Sequence, residues 1–116
     1  MSIATVIVTI CLAGLFAFAG SIKLLGVKQS LAIRDHLGIS PSQWRIIGVL
    51  EWAGVAGVLA GLAWSPIGIA AAVGLTLLSV GAIVSHVRTS DGIADTAPAV
   101  VGLLLAVATA VQLIAR

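Results

Sequence analysis

The chain has 116 residues, 60% of them apolar and only 9% charged, with six Lys and Arg against four Asp and Glu for a net charge of +2. Soluble domains carry about a quarter of their residues as charges, so a water-soluble domain is excluded. Disordered, collagen-like and nucleic-acid-binding chains are excluded too, since they need polarity, glycine periodicity or clustered basic residues. A mean hydropathy of +1.24 places the chain in a bilayer.

In chain order, the charges and turn signals divide the sequence into four apolar stretches: residues 3–25, 41–62, 66–88 and 97–115. At 1.5 Å per residue each is about 28–35 Å long, which matches a hydrocarbon core of roughly 30 Å. Ser40-Pro41 and Ser65-Pro66 each set a capping hydroxyl before a proline at a first helical position, where its missing N–H costs nothing. Asp95-Thr96 ahead of Ala97-Pro98 reads as the same signal for the fourth stretch. The link at 27–39 mixes Leu31, Ile33 and Leu37 with Lys28, Arg34, Asp35 and His36, which predicts a short amphipathic interfacial helix rather than a plain polar loop. Trp44 and Trp64 fall where aromatic belts form. Residues 1–116 thus read as a single all-α domain, an integral membrane antiparallel four-helix bundle.

The basic residues predict an orientation. Lys23, Lys28, Arg34, Arg45 and Arg88 share the side of the two longer links, against Arg116 and the N-terminal amine on the other. Links 26–40 and 89–96 are therefore expected in the cytoplasm and both termini outside. Ala17-Phe18-Ala19 has the look of a signal-peptidase site. No basic residue precedes its apolar stretch, and Lys23 and Lys28 follow it, so an uncleaved first span is expected.

Helices in lipid associate through small residues that let backbones approach. Ala13, Ala17 and Ser21, then Gly57 and Gly61, then Gly102, Ala106 and Ala110 form such stripes at four-residue spacing. They argue for packing and for no chemistry. An ionisable group at membrane depth is different, because it costs about 2.5–3.5 kcal/mol on insertion scales unless it faces protein or a watered cavity. Glu51 lies near the middle of its stretch, too deep to snorkel out. Lys23 sits near the end of the first stretch. Side chains lean toward their own helix N-terminus, so in antiparallel neighbours these two lean toward each other across an axial gap of about 12 Å. A buried Lys23–Glu51 pair is expected, direct or through water. His86 lies at a depth similar to Lys23, with Ser79 two turns before it on one face. The plainer readings are a purely structural pair for Glu51 and headgroup contacts for Lys23 and His86. Ser85, Thr76, Thr109 and Gln112 are expected to satisfy themselves on helix carbonyls or at the interface, and Arg45 and Arg88 to set topology.

No catalytic constellation is present: there is no Ser-His-Asp order, no HExxH and no phosphate loop. Cys11 stands alone, which rules out an internal disulfide and leaves it without a companion for a metal site. Two histidines far apart, one in an exposed link, make a weak haem or metal case, since a membrane di-haem site needs helix-borne histidines at depth and only His86 comes close.

Taken together and in order, Phe18-Ala-Gly20-Ser-Ile-Lys23-Leu, then Arg45-Ile-Ile-Gly48-Val-Leu-Glu51 with Gly54, Gly57 and Gly61, then Gly81-Ala82 with His86 and Arg88, resemble the DoxX-like family of small four-span bacterial membrane proteins. The likeness covers nearly the whole chain, and it matches at Gly20, Lys23, Gly48, Glu51 and His86. The resemblance implies the bacterial inner membrane and an accessory or small subunit of a quinone-linked redox system. A quinone or other lipophilic ligand would then lie near Glu51, Lys23 and His86, with no covalent cofactor. Membrane lipids and membrane-protein partners or further copies of the chain are the expected company, and no nucleic acid. Two other functions fit the residues: an assembly subunit in which the pair sets helix register, and a small proton-coupled transporter. The small multidrug transporters carry their glutamate in the first span without a nearby lysine, unlike Glu51.

Overall fold

The computed structural model describes residues 2–116 and is all-helical among them. Its five helices are α1 (Ile3–Leu24), α2 (Lys28–Leu37), α3 (Pro41–Ala60), α4 (Ser65–Arg88) and α5 (Ile93–Ala115). The N-terminal amine, counted above on the outer side, lies outside the described residues.

Local chemistry explains most of the boundaries. Ser2 caps α1 by accepting from the Thr5 N–H at 3.1 Å. Ser40 closes a capping box on α3, accepting from the Gln43 N–H at 3.2 Å while the Gln43 side chain accepts from the Ser40 N–H. The amphipathic link forms a helix, α2, bracketed by Gly26 and Gly38 at φ 66° and 71°, a left-handed backbone open to glycine at no steric cost.

Two expected starts are corrected. Trp64 caps α4, so Ser65 is already helical and makes no capping bond. Helix α5 begins at Ile93 with Gly92 as its cap, four residues before the expected stretch. The Thr96 N–H and hydroxyl both donate to the Gly92 carbonyl, which carries the helix past Asp95. Asp95 instead occupies the first turn, where the helix dipole favours a carboxylate. Pro98 falls inside the helix, and its ring nitrogen cannot donate to the carbonyl of Ala94.

Three helices, α1, α4 and α5, are long and apolar enough to cross a membrane. Helix α3 is not among them, because Ser42, Gln43, Arg45 and Glu51 dilute its apolar run. Apolar side chains such as Ile7, Phe18, Leu77, Leu104 and Val111 face outward, as lipid requires. This is a membrane protein.

Helix α1 packs on α3 and α5, and α4 packs on α3 and α5. The core between them holds Leu12, Phe16, Val55, Val58, Leu75 and Ala106. The glycine stripes mark the closest approaches. A Cβ on Gly20 would stand 3.0 Å from the Gly48 carbonyl oxygen, one on Gly57 2.5 Å from the Ala71 Cβ, and one on Gly61 2.4 Å from the Gly68 Cα. At one end Arg116 donates to the carbonyls of Gly61 and Leu62. At the other end the two longer links touch, through His36 and Asp91.

Candidate functional site

The Gly20–Gly48 contact brings the two charged residues together. It sets the Lys23 Cβ level with Gly48, only three residues and about 4.5 Å along α3 from Glu51. Lys23 leans back along α1, its Nζ donating to the Ala19 carbonyl at 3.4 Å and standing 2.9 Å from Glu51 Oε1. The axial gap is therefore shorter than the sequence suggests, and the pair is direct. The Glu51 side chain is buried, at 6% exposure, and that of Lys23 is mostly covered, at 13%. Oε1 therefore has the Lys23 ammonium as its close counter-charge and no further hydrogen-bond partner among the described residues.

Trp44 is a correction. It is buried, its indole N–H donates to Ser30 Oγ at 3.0 Å, and its ring lies 4.8 Å from Lys23 Nζ. A ring face attracts a cation, so Trp44 holds the ammonium inside the protein instead of anchoring to headgroups. Trp64 is exposed at the α3–α4 turn.

His86 makes a contact that spacing alone does not suggest. Its Nδ1 donates to Asp91 Oδ2 at 2.6 Å, while Nε2 of His36, on α2, donates to Asp91 Oδ1 at 2.6 Å. Thr89 Oγ1 adds a bond of 3.2 Å to Oδ2. The Ser90 φ of 58° and the bond from the Asp91 N–H to the His86 carbonyl turn the link back onto the end of α4, which aims the carboxylate at His86. Hydrogen bonds from His36 and then His86 hold the Asp91 carboxyl below its ordinary value of 3.8, outweighing the opposing effect of burial. Asp91 and His36 are the residues that sequence reasoning missed. A Ser-Asp-Gly turn with a histidine five residues before it was the available signal.

Lys23, Glu51 and His86 line one cavity of about 410 Å³, closed on one side by Ile33 and Leu37 of α2. Most of its wall is apolar, including Phe16, Ile22, Ile47 and Leu78, with Ser79, Ser85 and Asp95 adding polar atoms. Among the described residues no hydrogen bond engages Nε2 of His86. Ser79 and Ser85 donate to carbonyls four residues back, as does Thr76 outside the cavity. Thr109 Oγ1 and Gln112 Oε1 do not satisfy themselves as expected: both are buried without a partner among the described residues, as is Thr9 Oγ1. Helix α5 presents Thr109 to the interior with no exposed surface, while Gln112 borders an open pocket beside Ser2 and Arg116. Gly20, Gly48, Gly57 and Gly61 all lie in helix contacts outside the cavity lining.

No cluster of three or more His, Cys, Asp or Glu that could hold a metal ion occurs among the described residues. What the site offers is a slot of ligand size, within the few hundred cubic ångströms typical of small-molecule pockets, with a cation, a carboxylate and an imidazole in its lining.

Comparison with known proteins agrees with the motifs. No curated protein and no solved structure matches the chain. A family model does, over residues 7–109, and that span includes Gly20, Lys23, Gly48, Glu51, His86 and Asp91. With nearly the whole chain matched, the protein belongs to the DoxX-like family.

Proposed function

We propose that this protein is a small subunit of a quinone-linked redox system in the bacterial inner membrane, and that its cavity takes the ring of a quinone or another lipophilic molecule. Helix α3 serves as the fourth span of an antiparallel four-helix bundle, and α2 lies at the interface. Links 26–40 and 89–96 face the cytoplasm, with both termini outside. Lys23, Glu51 and His86 bind the polar edge of the ring, and the apolar wall accepts its tail. Partner membrane proteins or further copies of the chain supply the electron chemistry.

One observation carries this reading: a buried Lys23–Glu51 pair on the wall of a largely apolar cavity of about 410 Å³ that also presents His86. A pair with only a structural role has no need of a ligand-sized space beside it.

The test is thermal unfolding of the purified protein in mild detergent with a decyl-tailed quinone, added in its oxidised and in its reduced form. At least one form raises the melting temperature of the wild type and leaves that of the folded Lys23→Met/Glu51→Gln double variant unchanged. No shift with either form removes the ligand reading. A second reading, an assembly subunit, draws on the placement of the ion pair beside the tight Gly20–Gly48 contact. It gives no quinone shift, and a partner protein that co-purifies with the wild type and is lost from the double variant.

A further inference from the structure

The polar wall of the cavity favours one kind of ligand edge. Glu51 Oε1 is a buried acceptor that faces the Lys23 ammonium at 2.9 Å and has no other donor among the described residues. Across the same cavity, His86 has its Nδ1–H engaged by Asp91 at 2.6 Å, which leaves Nε2 as the ring atom available to a ligand. In a neutral imidazole the two nitrogens have opposite roles, and the partner of one decides the role of the other. A carboxylate on Nδ1 requires the proton there, so in the neutral ring Nε2 carries the lone pair. The carboxylate is itself held in place: His36 donates to Oδ1 from α2 and Thr89 to Oδ2 from the end of α4. Asp91 thus cannot turn away without breaking the contact between the two links.

We infer that the cavity is built for the reduced, hydroxyl-bearing form of a lipophilic ring, a hydroquinone or a related phenol, with Nε2 of His86 and the Glu51 carboxylate as its two acceptors and with Asp91 as the residue that positions His86. This rests on the ligand reading above and names the redox form that the site takes. A quinone has only carbonyl acceptors at its polar edge, and these would face an acceptor at His86 and another at Glu51. A hydroquinone brings two O–H donors to the same places. Sites that hydrogen-bond a ligand hydroxyl reject the analogue that lacks it, because their buried polar atoms are then left unpaired. Lys23 does not reverse the preference, since its ammonium is held between Glu51, the Ala19 carbonyl and the Trp44 ring. Asp95 also lines the cavity and adds a further acceptor.

Two measurements test the inference. The first compares binding of decyl-tailed ubiquinol, the matching ubiquinone and the dimethyl ether of the quinol to the full chain in detergent. The quinol binds at least about tenfold tighter than either of the others, the scale of one hydrogen bond. Equal binding of the quinol and its ether, or tighter binding of the quinone, overturns the inference while leaving a ligand site in place. Binding of none of the three overturns the inference and the ligand reading together.

The second measurement needs no ligand. His36 and His86 are the two histidines of the chain, so ¹⁵N-histidine labelling yields two assignable rings. In the wild type the ¹⁵N shifts of His86 are those of the Nδ1–H tautomer. Asp91→Asn moves them toward Nε2–H and removes the quinol preference, and Asp91→Glu keeps both. An Nε2–H tautomer or a doubly protonated ring in the wild type at neutral pH, or an Asp91→Asn protein that keeps both the tautomer and the preference, overturns the positioning role. Should Asp91→Asn fail to fold, the wild-type tautomer and the ether comparison still decide the matter.

Discussion

Lys23 and Glu51 stand 2.9 Å apart because Gly20 and Gly48, each near its charged neighbour in sequence, bring the backbones of α1 and α3 into contact. The pair and the close approach are one feature. Each side chain leans toward its own helix N-terminus, and the short distance between the helices removes the need for a bridging water.

Removing one partner leaves the other charge buried without compensation. Glu51→Gln should cost about 3–5 kcal/mol, the scale for breaking a buried pair, and adding Lys23→Met should recover most of the loss. Reversible unfolding of the four members of this cycle in mixed micelles measures both effects. If the double variant is no more stable than Glu51→Gln, the ammonium is not dependent on the carboxylate.

The glycines in helix contacts are expected to differ from those that face open space. Gly61→Ala places a methyl group 2.4 Å from the Gly68 Cα, a backbone atom that cannot move aside alone, so α3 and α4 must part at a cost of about 1–3 kcal/mol. Gly74→Ala meets nothing within 4 Å and should be neutral, or stabilising by about 0.5–1 kcal/mol through helix propensity. Melting temperatures of the two variants give the comparison directly.

Asp91 makes the joint between the links sensitive to acid. Its carboxyl has a lower pKa folded than unfolded, so its contribution to stability is complete above its unfolded value near 3.8 and is lost as the pH falls through the lower folded value. The groups facing it are His36 and His86. Hydrogen exchange of α2 amides should rise steeply in that acid range for the wild type. In Asp91→Asn the exchange should already be fast at neutral pH, with little further change on acidification.

Trp44 closes the same region through Ser30, which has no exposed surface. Trp44→Phe keeps a ring beside Lys23 but leaves the Ser30 hydroxyl unpaired, at a cost of about 1–3 kcal/mol. Replacing Ser30 by Ala as well should regain part of that. Chemical denaturation of the single and double variants separates the hydrogen bond from the ring contact.

Much of this molecule is legible in one dimension. Residence in a membrane follows from composition, and the extents of α1 and α3 follow from apolar runs ended by turn residues. The likelihood of a Lys23–Glu51 meeting follows from depth and side-chain direction. The start of α5 is not legible in this way, because Asp95-Thr96 before a proline imitates a cap, whereas Gly92 supplies the cap and the helix accommodates Pro98. The place of Trp44 is not legible either, because depth alone cannot tell an inward indole from an outward one.

Periodicity, depth and local caps act within a turn or two of the chain, so the residues themselves determine the helices, their lengths and the charges that must be hidden from lipid. The joining of His36 to Asp91 across 55 positions, the turn that returns Asp91 to His86, and the enclosure of Glu51 beside a ligand-sized space belong to the tertiary structure alone. Each depends on how far apart the helices stand and how they are rotated about their axes, and only the mutual packing of all five settles those two quantities.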